Sequence, residues 1–291
     1  MAHLIPKQAI DKYSAAPSST TITAARRLQE KIRDLLGSNY ETFLQGSYKN
    51  TTAAGDIDDV DIVALQNGIV SGTFGSSLPG RTIVTWESIF SVIERQLATN
   101  SDLRGRISRG DKCVKVSGDL AADIVPAIRI TAPEDDPVAI YSWREGSERK
   151  NYPRVHYANN VDKHERTVQR YKPTVRMIKH WARNWFGDHS AVAPSFYLEC
   201  LLYNVPDILF CPDEALRFSL IISHLVGLSY VTSRVLTVAG DKDILLPGEW
   251  GILNFSHFQS RLSQSRTYVS AALTATSQEA AINNWRRAFN D

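Results

Sequence analysis

Four aspartates crowd one short stretch of the chain, Asp56-Ile57-Asp58-Asp59-Val60-Asp61, between Gln45-Gly46-Ser47-Tyr48 and the apolar run Ile62-Val63-Ala64-Leu65. Side chains along a strand alternate faces, so Asp59 and Asp61 point the same way. Two ionised carboxylates held side by side repel, and a folded protein seldom tolerates that without a cation between them. Hard oxygen ligands clustered this tightly suit Mg2+ or Mn2+ rather than zinc. Upstream, Gly46-Ser47 reads as a tight turn ending a strand over 41–45, with backbone N–H groups and a hydroxyl placed to cradle a phosphate. Phosphate donors beside a magnesium-binding carboxylate pair point to phosphoryl or nucleotidyl transfer. An acidic turn that merely caps and solvates would account for a bare Asp-x-Asp, but it leaves the Gly-Ser turn unexplained.

A third carboxylate stands where it is costly. Cys113-Val114-Lys115-Val116, the turn Ser117-Gly118-Asp119 and the run 120–125 read as a hairpin, with Asp123 inside an otherwise apolar strand. An Asp in such a run destabilises unless ionically paired, and strand pairing would bring it to Asp59 and Asp61. The frame Asp59/Asp61 is preferred over Asp56/Asp58 because the apolar strand begins after Asp61.

Gly-Ser, about a dozen residues, Asp-x-Asp, then a later Asp on a strand resembles the polymerase-β nucleotidyltransferase superfamily. More narrowly, Gln45-Gly46-Ser47-Tyr48, Asp59-Val60-Asp61-Ile62-Val63 and Asp123-Ile124-Val125-Pro126-Ala127 look like the bacterial cyclic-oligonucleotide synthases of anti-phage defence. These are cGAS/DncV-like nucleotidyltransferases, relatives of cyclic GMP-AMP synthase and 2′-5′-oligoadenylate synthase. The distance from Ser47 to Asp59 also fits that family. In the second half, Val175-Arg176-Met177-Ile178-Lys179-His180-Trp181 and Pro194-Ser195-Phe196-Tyr197-Leu198-Glu199 resemble the paired helices of its C-terminal domain.

The resemblance implies an α+β fold: a polymerase-β-like core of mixed sheet and helices, a C-terminal helical domain, and an active site in the cleft between them. It implies that Asp59 and Asp61 bind two Mg2+ ions (Mn2+ being the other candidate), with Asp123 completing the second. Gln45, Gly46, Ser47, Lys179 and Ser195 would then hold the donor triphosphate. The implied reaction joins ATP, GTP or other nucleoside triphosphates with loss of pyrophosphate. The product is expected to be a cyclic di- or trinucleotide that reaches an effector by diffusion. A non-cyclising enzyme acting on RNA or protein shares the same carboxylates. A catalytically silent nucleotide sensor would have no need of three intact acidic positions.

Bulk properties narrow the field. The 291 residues are 43% hydrophobic and 22% charged, which is globular rather than disordered. No apolar run reaches the roughly 20 residues of a membrane span. The opening residues lack the pattern of a secretion signal, so the expected location is the cytoplasm. Three unpatterned cysteines read as reduced thiols, and seven histidines without zinc-motif spacing argue against zinc. The net charge of +2 hides an asymmetry: between Arg144 and Arg183 there are 11 Lys/Arg against four Asp/Glu. With triphosphate chemistry indicated, that stretch reads as a polyanion site. No extended track for a nucleic acid is evident.

The elements that must position these groups follow from periodicity. Residues 21–36 form an amphipathic helix with capping candidates at Ser18 to Thr20 and a stop at Gly37. Residues 68–80 read as a loop and 86–97 as a second helix. Pro126 is expected to interrupt its strand, with 128–130 resuming as an edge. Residues 131–160 lack periodicity, and a boundary near 160 gives domains 1–160 and 161–291. Pro173 begins or kinks a helix reaching Trp185, which carries Arg176, Lys179, His180 and Arg183 on one face. Further helices are expected at 195–203, with Ser195 as N-cap, 214–225 and 277–289, the last with a capping box at Thr276/Glu279. Glu199 reads as part of a local capping or salt-bridge pattern.

Overall fold

The computed structural model describes residues 3–55, 59–70, 84–130, 136–187 and 191–291, without the side chains of Ile69 and Val70. In chain order the elements are helices α1 (Lys7–Ser14) and α2 (Ser19–Leu36), strand β1 (Tyr40–Leu44), α3 (Gly46–Asn50), β2 (Asp59–Val70), α4 (Trp86–Ala98), β3 (Ile107–Arg109), β4 (Val114–Val116) and β5 (Ala121–Arg129). The hairpin β6 (Val138–Ser142) and β7 (Ser147–Asn151) follows, then helices α5 (Pro153–Arg166), α6 (Tyr171–Phe186), α7 (Ser195–Asn204), α8 (Glu214–Val226), α9 (Ile252–Leu273) and α10 (Gln278–Ala288). Two compact units result. A sheet unit comprises Pro17–Asn50 and Asp56–Tyr157, and a helical unit comprises Met1–Ala16, Thr51–Gly55 and Ala158–Asp291.

The sheet has the order β1-β2-β5-β4-β3, with β6 added to β5 and β7 to β6. Among the described strands only β2 and β5 run parallel and the other pairs are antiparallel, so the sheet is mixed. Helices α2 and α4 pack on it. Helix α2 starts where the Ser18 hydroxyl accepts the Thr21 N–H, and it stops at Gly37, whose φ of 67° an L side chain would resist. Along β2 the faces alternate: Val60, Ile62 and Ala64 are fully buried on one, while Asp59, Asp61, Val63 and Leu65 share the other. On that second face Val63 and Leu65 pack with Ala127 and Val138.

Pro126 does not interrupt its strand: β5 runs unbroken to Arg129. The stretch of β5 paired with β4 ends at Ile124, and pairing with β6 begins at Ile128. Pro126 sits in the gap, where a missing N–H removes no ladder bond from that edge. Residues 128–129 are therefore internal to the sheet rather than an edge. Of the expected loop over 68–80, residues 68–70 belong to β2 and the remainder lies outside the described residues. The stretch 131–160 also holds more order than its pattern shows, since it contains β6, β7 and the start of α5.

The helical unit is built on a large aromatic core that includes Trp181, Phe218, Phe255, Phe258 and Trp285. Against it the buried Ser265 accepts from the Trp181 indole at 2.7 Å and donates to the Ala288 carbonyl at 2.8 Å. The chain breaks between α5 and α6 at Val168 and Gln169, both with positive φ, and Pro173 lies in the first turn of α6. Helix α10 is capped by Ser277, whose hydroxyl accepts from the Ala280 N–H, rather than by Thr276. No helix among the described residues is long and apolar enough to cross a membrane.

Candidate active site

The register of β2 on β5 brings the carboxylates together. Asp61 pairs with Asp123, and Asp59 with Ala121, in a parallel ladder. Register partners on neighbouring strands lie about 4.8 Å apart and point to the same face. Asp59, Asp61 and Asp123 therefore share one face near the starts of two adjacent strands. Asp59 is exposed, while Asp61 and Asp123 are half-buried. Asp56 and Asp58 lie outside the described residues.

Gly46 stands directly against this face. It holds φ at 70°, and a Cβ built on it would fall 2.0 Å from Asp61 Oδ2. Only glycine admits both the backbone conformation and the approach of that carboxylate. The expected turn continues into the short helix α3, which begins at Gly46 and includes Ser47. Gln45 is tied on both sides: its N–H donates to the Asp61 carbonyl at 3.0 Å, and its side-chain oxygen accepts from Asn151 at 3.1 Å. The Gly-Ser segment and the carboxylates thus form one connected structure.

Two neighbours of Asp123 escaped the sequence reading. Lys115, its register partner on β4, holds Nζ 3.9 Å from Asp123 Oδ2. Strand alternation was the available signal, since Lys115 is the exposed residue between buried Val114 and Val116. Cys113 is buried beside the same carboxylate. Burial first, and then the negative charge of Asp123, push its thiol up to about 12, so it remains a neutral thiol at physiological pH.

Oxygen-only donors on one face fit a hard divalent cation by type, and the missing Cβ of Gly46 makes room for the Asp61 carboxylate on that face. They do not form a ready-made enclosure: among the described residues no group of three or more His, Cys, Asp or Glu stands in metal-holding geometry.

In the helical unit, Lys179 is neither a solvated lysine nor an exposed anion trap. Its Nζ lies 2.9 Å from Glu199 Oε2 and donates to the Thr52 hydroxyl at 3.3 Å, with side-chain exposures of 6% and 4% for Lys179 and Glu199. Glu199 also accepts from the Asn160 amide at 2.8 Å, and the Tyr171 hydroxyl donates to Asn160 Oδ1 at 2.7 Å. Burial, then the charge of Glu199, holds the Tyr171 phenol well above its ordinary range, so it stays a donor. Glu199 thus makes the salt bridge expected of it, but with a partner on another helix. Removing one member of such a pair leaves a buried charge behind. We expect Lys179→Ala to lower the stability of the helical unit by about 3–5 kcal/mol in chemical denaturation. Unchanged stability would return Lys179 to the role of a surface lysine.

Ser195 is exposed and occupies the first helical position of α7; Pro194 is the N-cap, and no side chain caps this end. The basic stretch from Arg144 to Arg183 is largely satisfied internally. Arg154 and Lys163 pair with Glu41 and Asp207, and Arg166 with Asp162 and Asp207. Arg176 donates to the carbonyls of Ser14 and Thr51, at 2.6 and 2.7 Å. Composition gives the sign of the charge but not the partner, and the expected polyanion surface is reduced accordingly.

The model of the cGAS/DncV-like nucleotidyltransferase C-terminal helical domain matches residues 158–246. A cyclic UMP-AMP synthase of Rhodothermus marinus is 34% identical over 71% of this chain and 78% of its own length. The chain belongs to the cGAS/DncV-like nucleotidyltransferases. It is accordingly a nucleotidyltransferase. A cyclic dipyrimidine nucleotide synthase of Legionella pneumophila is 31% identical over 72% of this chain and 79% of that relative. The solved structure of the Rhodothermus marinus c-UMP-AMP synthase with Apcpp and Upnpp superposes with a TM-score of 0.74 at 30% identity. It covers 90% of this chain and 97% of that one. The mixed sheet with a helical C-terminal half is the architecture of this family.

Proposed function

We propose that this chain condenses nucleoside triphosphates, releases pyrophosphate, and closes the product into a cyclic di- or trinucleotide that serves as a diffusible signal in anti-phage defence. One observation carries the chemistry: Asp61 and Asp123 are register partners on one face, with the Cα of Gly46 against the Asp61 carboxylate. Similarity to synthases of cyclic dinucleotides supports the choice of a ring over a polymer.

In this reading Asp59, Asp61 and Asp123 would hold divalent cations. When bound, Mg2+ supplies positive charge that acidifies the acceptor sugar hydroxyl and offsets charge on the phosphates. The acceptor oxygen attacks the α-phosphorus in line, the bond to the bridging oxygen of pyrophosphate breaks, and the Asp123 carboxylate would take the hydroxyl proton. Gln45 fixes the Gly46-Ser47 segment to β2, and Ser47 meets the phosphates there. Lys179 carries three N–H protons, of which Glu199 and Thr52 occupy two. In this reading the third would go to a phosphate oxygen, and Ser195 at the start of α7 would offer a hydroxyl and a helix N-terminus. Charge developing on the leaving pyrophosphate is stabilised by such preplaced donors. Incubation with Mg2+ and all four triphosphates, followed by mass spectrometry, should give species lacking any terminal phosphate. Label transferred only to added RNA or protein would contradict the proposal.

A further inference from the structure

Asp123 lies in the mostly buried strand β5, where a carboxylate destabilises unless a positive charge answers it. A divalent ion is one such charge, and the sheet itself supplies another. Antiparallel pairing of β4 on β5 makes Lys115 the register partner of Asp123. On the other flank, β2 makes Asp61 its partner. Register partners point to the same face, so Asp61, Asp123 and Lys115 form a cross-strand row over adjacent strands. The Lys115 ammonium stops 3.9 Å from Asp123 Oδ2, with side-chain exposures of 55% and 25%.

The hairpin of β3 and β4 makes room for this lysine. The Gly110 N–H donates to the Cys113 carbonyl at 2.8 Å and closes the turn. A Cβ built on Gly110 would fall 3.0 Å from Lys115 Cε and 2.9 Å from Cys113 Sγ. The glycine therefore leaves the space that the lysine stem and the thiol both use. Val114 and Val116, on either side of Lys115, are buried on the opposite face and fix which way the lysine points. A packed stem with a wet head can hold its charge beside a carboxylate and can also swing outward.

We propose that Lys115 is a resident cation of the acidic face. It offsets the carboxylate charge in the metal-free protein and so sets the divalent-ion concentration at which that face fills. The inference rests on the reading of Asp59, Asp61 and Asp123 as the metal-binding face. Like charges gathered on one face repel, and an ammonium at the end of the row relieves part of that repulsion. A divalent ion arriving at the same oxygens meets a positive charge already in place. By linkage, whatever stabilises the metal-free form through those oxygens weakens binding of the ion.

The test is a charge series at this position, titrated with Mn2+ alone in a calorimeter, without nucleotide. Binding to this face is identified by its loss in the Asp59→Ala/Asp61→Ala variant. Lys115→Met keeps the stem and removes the charge. It should lower the Mn2+ dissociation constant by about 3- to 30-fold, the scale of one half-exposed charge acting on a dication. Lys115→Glu should lower it further, and Lys115→Arg, which keeps the charge, should stay within about twofold of the parent. In EDTA, Lys115→Met should lower the thermal midpoint of the parent, and lower it less in an Asp123→Asn background. A dissociation constant unmoved or raised in Lys115→Met overturns the proposal, as does an equal shift in Lys115→Met and Lys115→Arg. If the parent binds no Mn2+ at this face, the reading of the aspartates fails. The metal-free comparison then decides alone, and an equal drop in both backgrounds overturns the counter-ion role.

Discussion

Replacing Asp59 and Asp61 together by alanine should reduce product formation by at least about 10^3-fold while leaving the fold intact. Metal-held charge at a phosphoryl centre is worth several kcal/mol, and each 1.36 kcal/mol is tenfold in rate. Crowded like charge costs stability rather than supplying it, so the double variant should melt at or above the parent temperature in metal-free buffer. A second readout does not depend on turnover. Binding of Mn2+ to the folded parent should raise its thermal midpoint by mass action, and the variant should lose that response. Replacing Asp56 and Asp58 instead should leave substantial activity. Full activity in the Asp59/Asp61 variant would remove the assignment of this face, and loss confined to the Asp56/Asp58 variant would show that the motif is framed one step earlier.

Gly46→Ala should be nearly as damaging to turnover, for a different reason. The added Cβ would fall 2.0 Å from Asp61 Oδ2, so the carboxylate must rotate away. Alanine must also hold φ near 70°, which costs roughly 1–3 kcal/mol. Gly37 supplies the control: its φ is 67°, and an added Cβ there would meet nothing within 4 Å. Both variants should lose similar backbone stability in urea unfolding. Only Gly46→Ala should lose activity, by about 10^2-fold, the scale for misplacing a catalytic group. Equal activity in the two variants would mean that the Asp61 carboxylate does not need the position that Gly46 leaves open.

The parts of the site legible in the sequence are those encoded by local spacing. Asp59, Asp61 and Asp123 declared themselves because a carboxylate inside an apolar strand needs a reason, and strand alternation then put the first two on one face. That Asp123 should meet them followed from the cost of a carboxylate in an apolar strand, but the parallel register that makes it the neighbour of Asp61 is a long-range fact that spacing does not contain. Lys179 shows the limit. Its sequence neighbours describe a basic helix face, but its partners are Glu199 on the next helix and Thr52 far upstream. No periodicity connects residues so distant, so the buried ion pair that orients Lys179 was not legible.

The fold was legible in the same uneven way. Helix α2 combines a clean apolar stripe with a serine cap and a glycine stop, so three independent signals agree. Helix α9, 22 residues long, escaped the sequence reading altogether. Its buried positions (Phe255, Phe258, Leu262, Ser265, Val269 and Ala272) do follow helical spacing. The stripe is one residue wide, however, and is diluted by serines at 256, 260, 263, 265 and 270, a residue type of only middling helix propensity. Packing in the aromatic core outweighs that local preference. Pro126 is the opposite case, a strong local signal for interruption overruled because two partner strands leave a gap where it sits.

The central claim is that this family member makes a ring. The most direct measurement is phosphatase treatment of the product formed from labelled nucleoside triphosphates with Mg2+. A closed ring has no terminal phosphate and should keep all its label, with the mass of two or three nucleoside monophosphates each less one water. With the label on the α-phosphate, a product that gives up its 5′-terminal share of label to phosphatase, as a linear oligomer carrying a 5′-triphosphate must, would contradict the account.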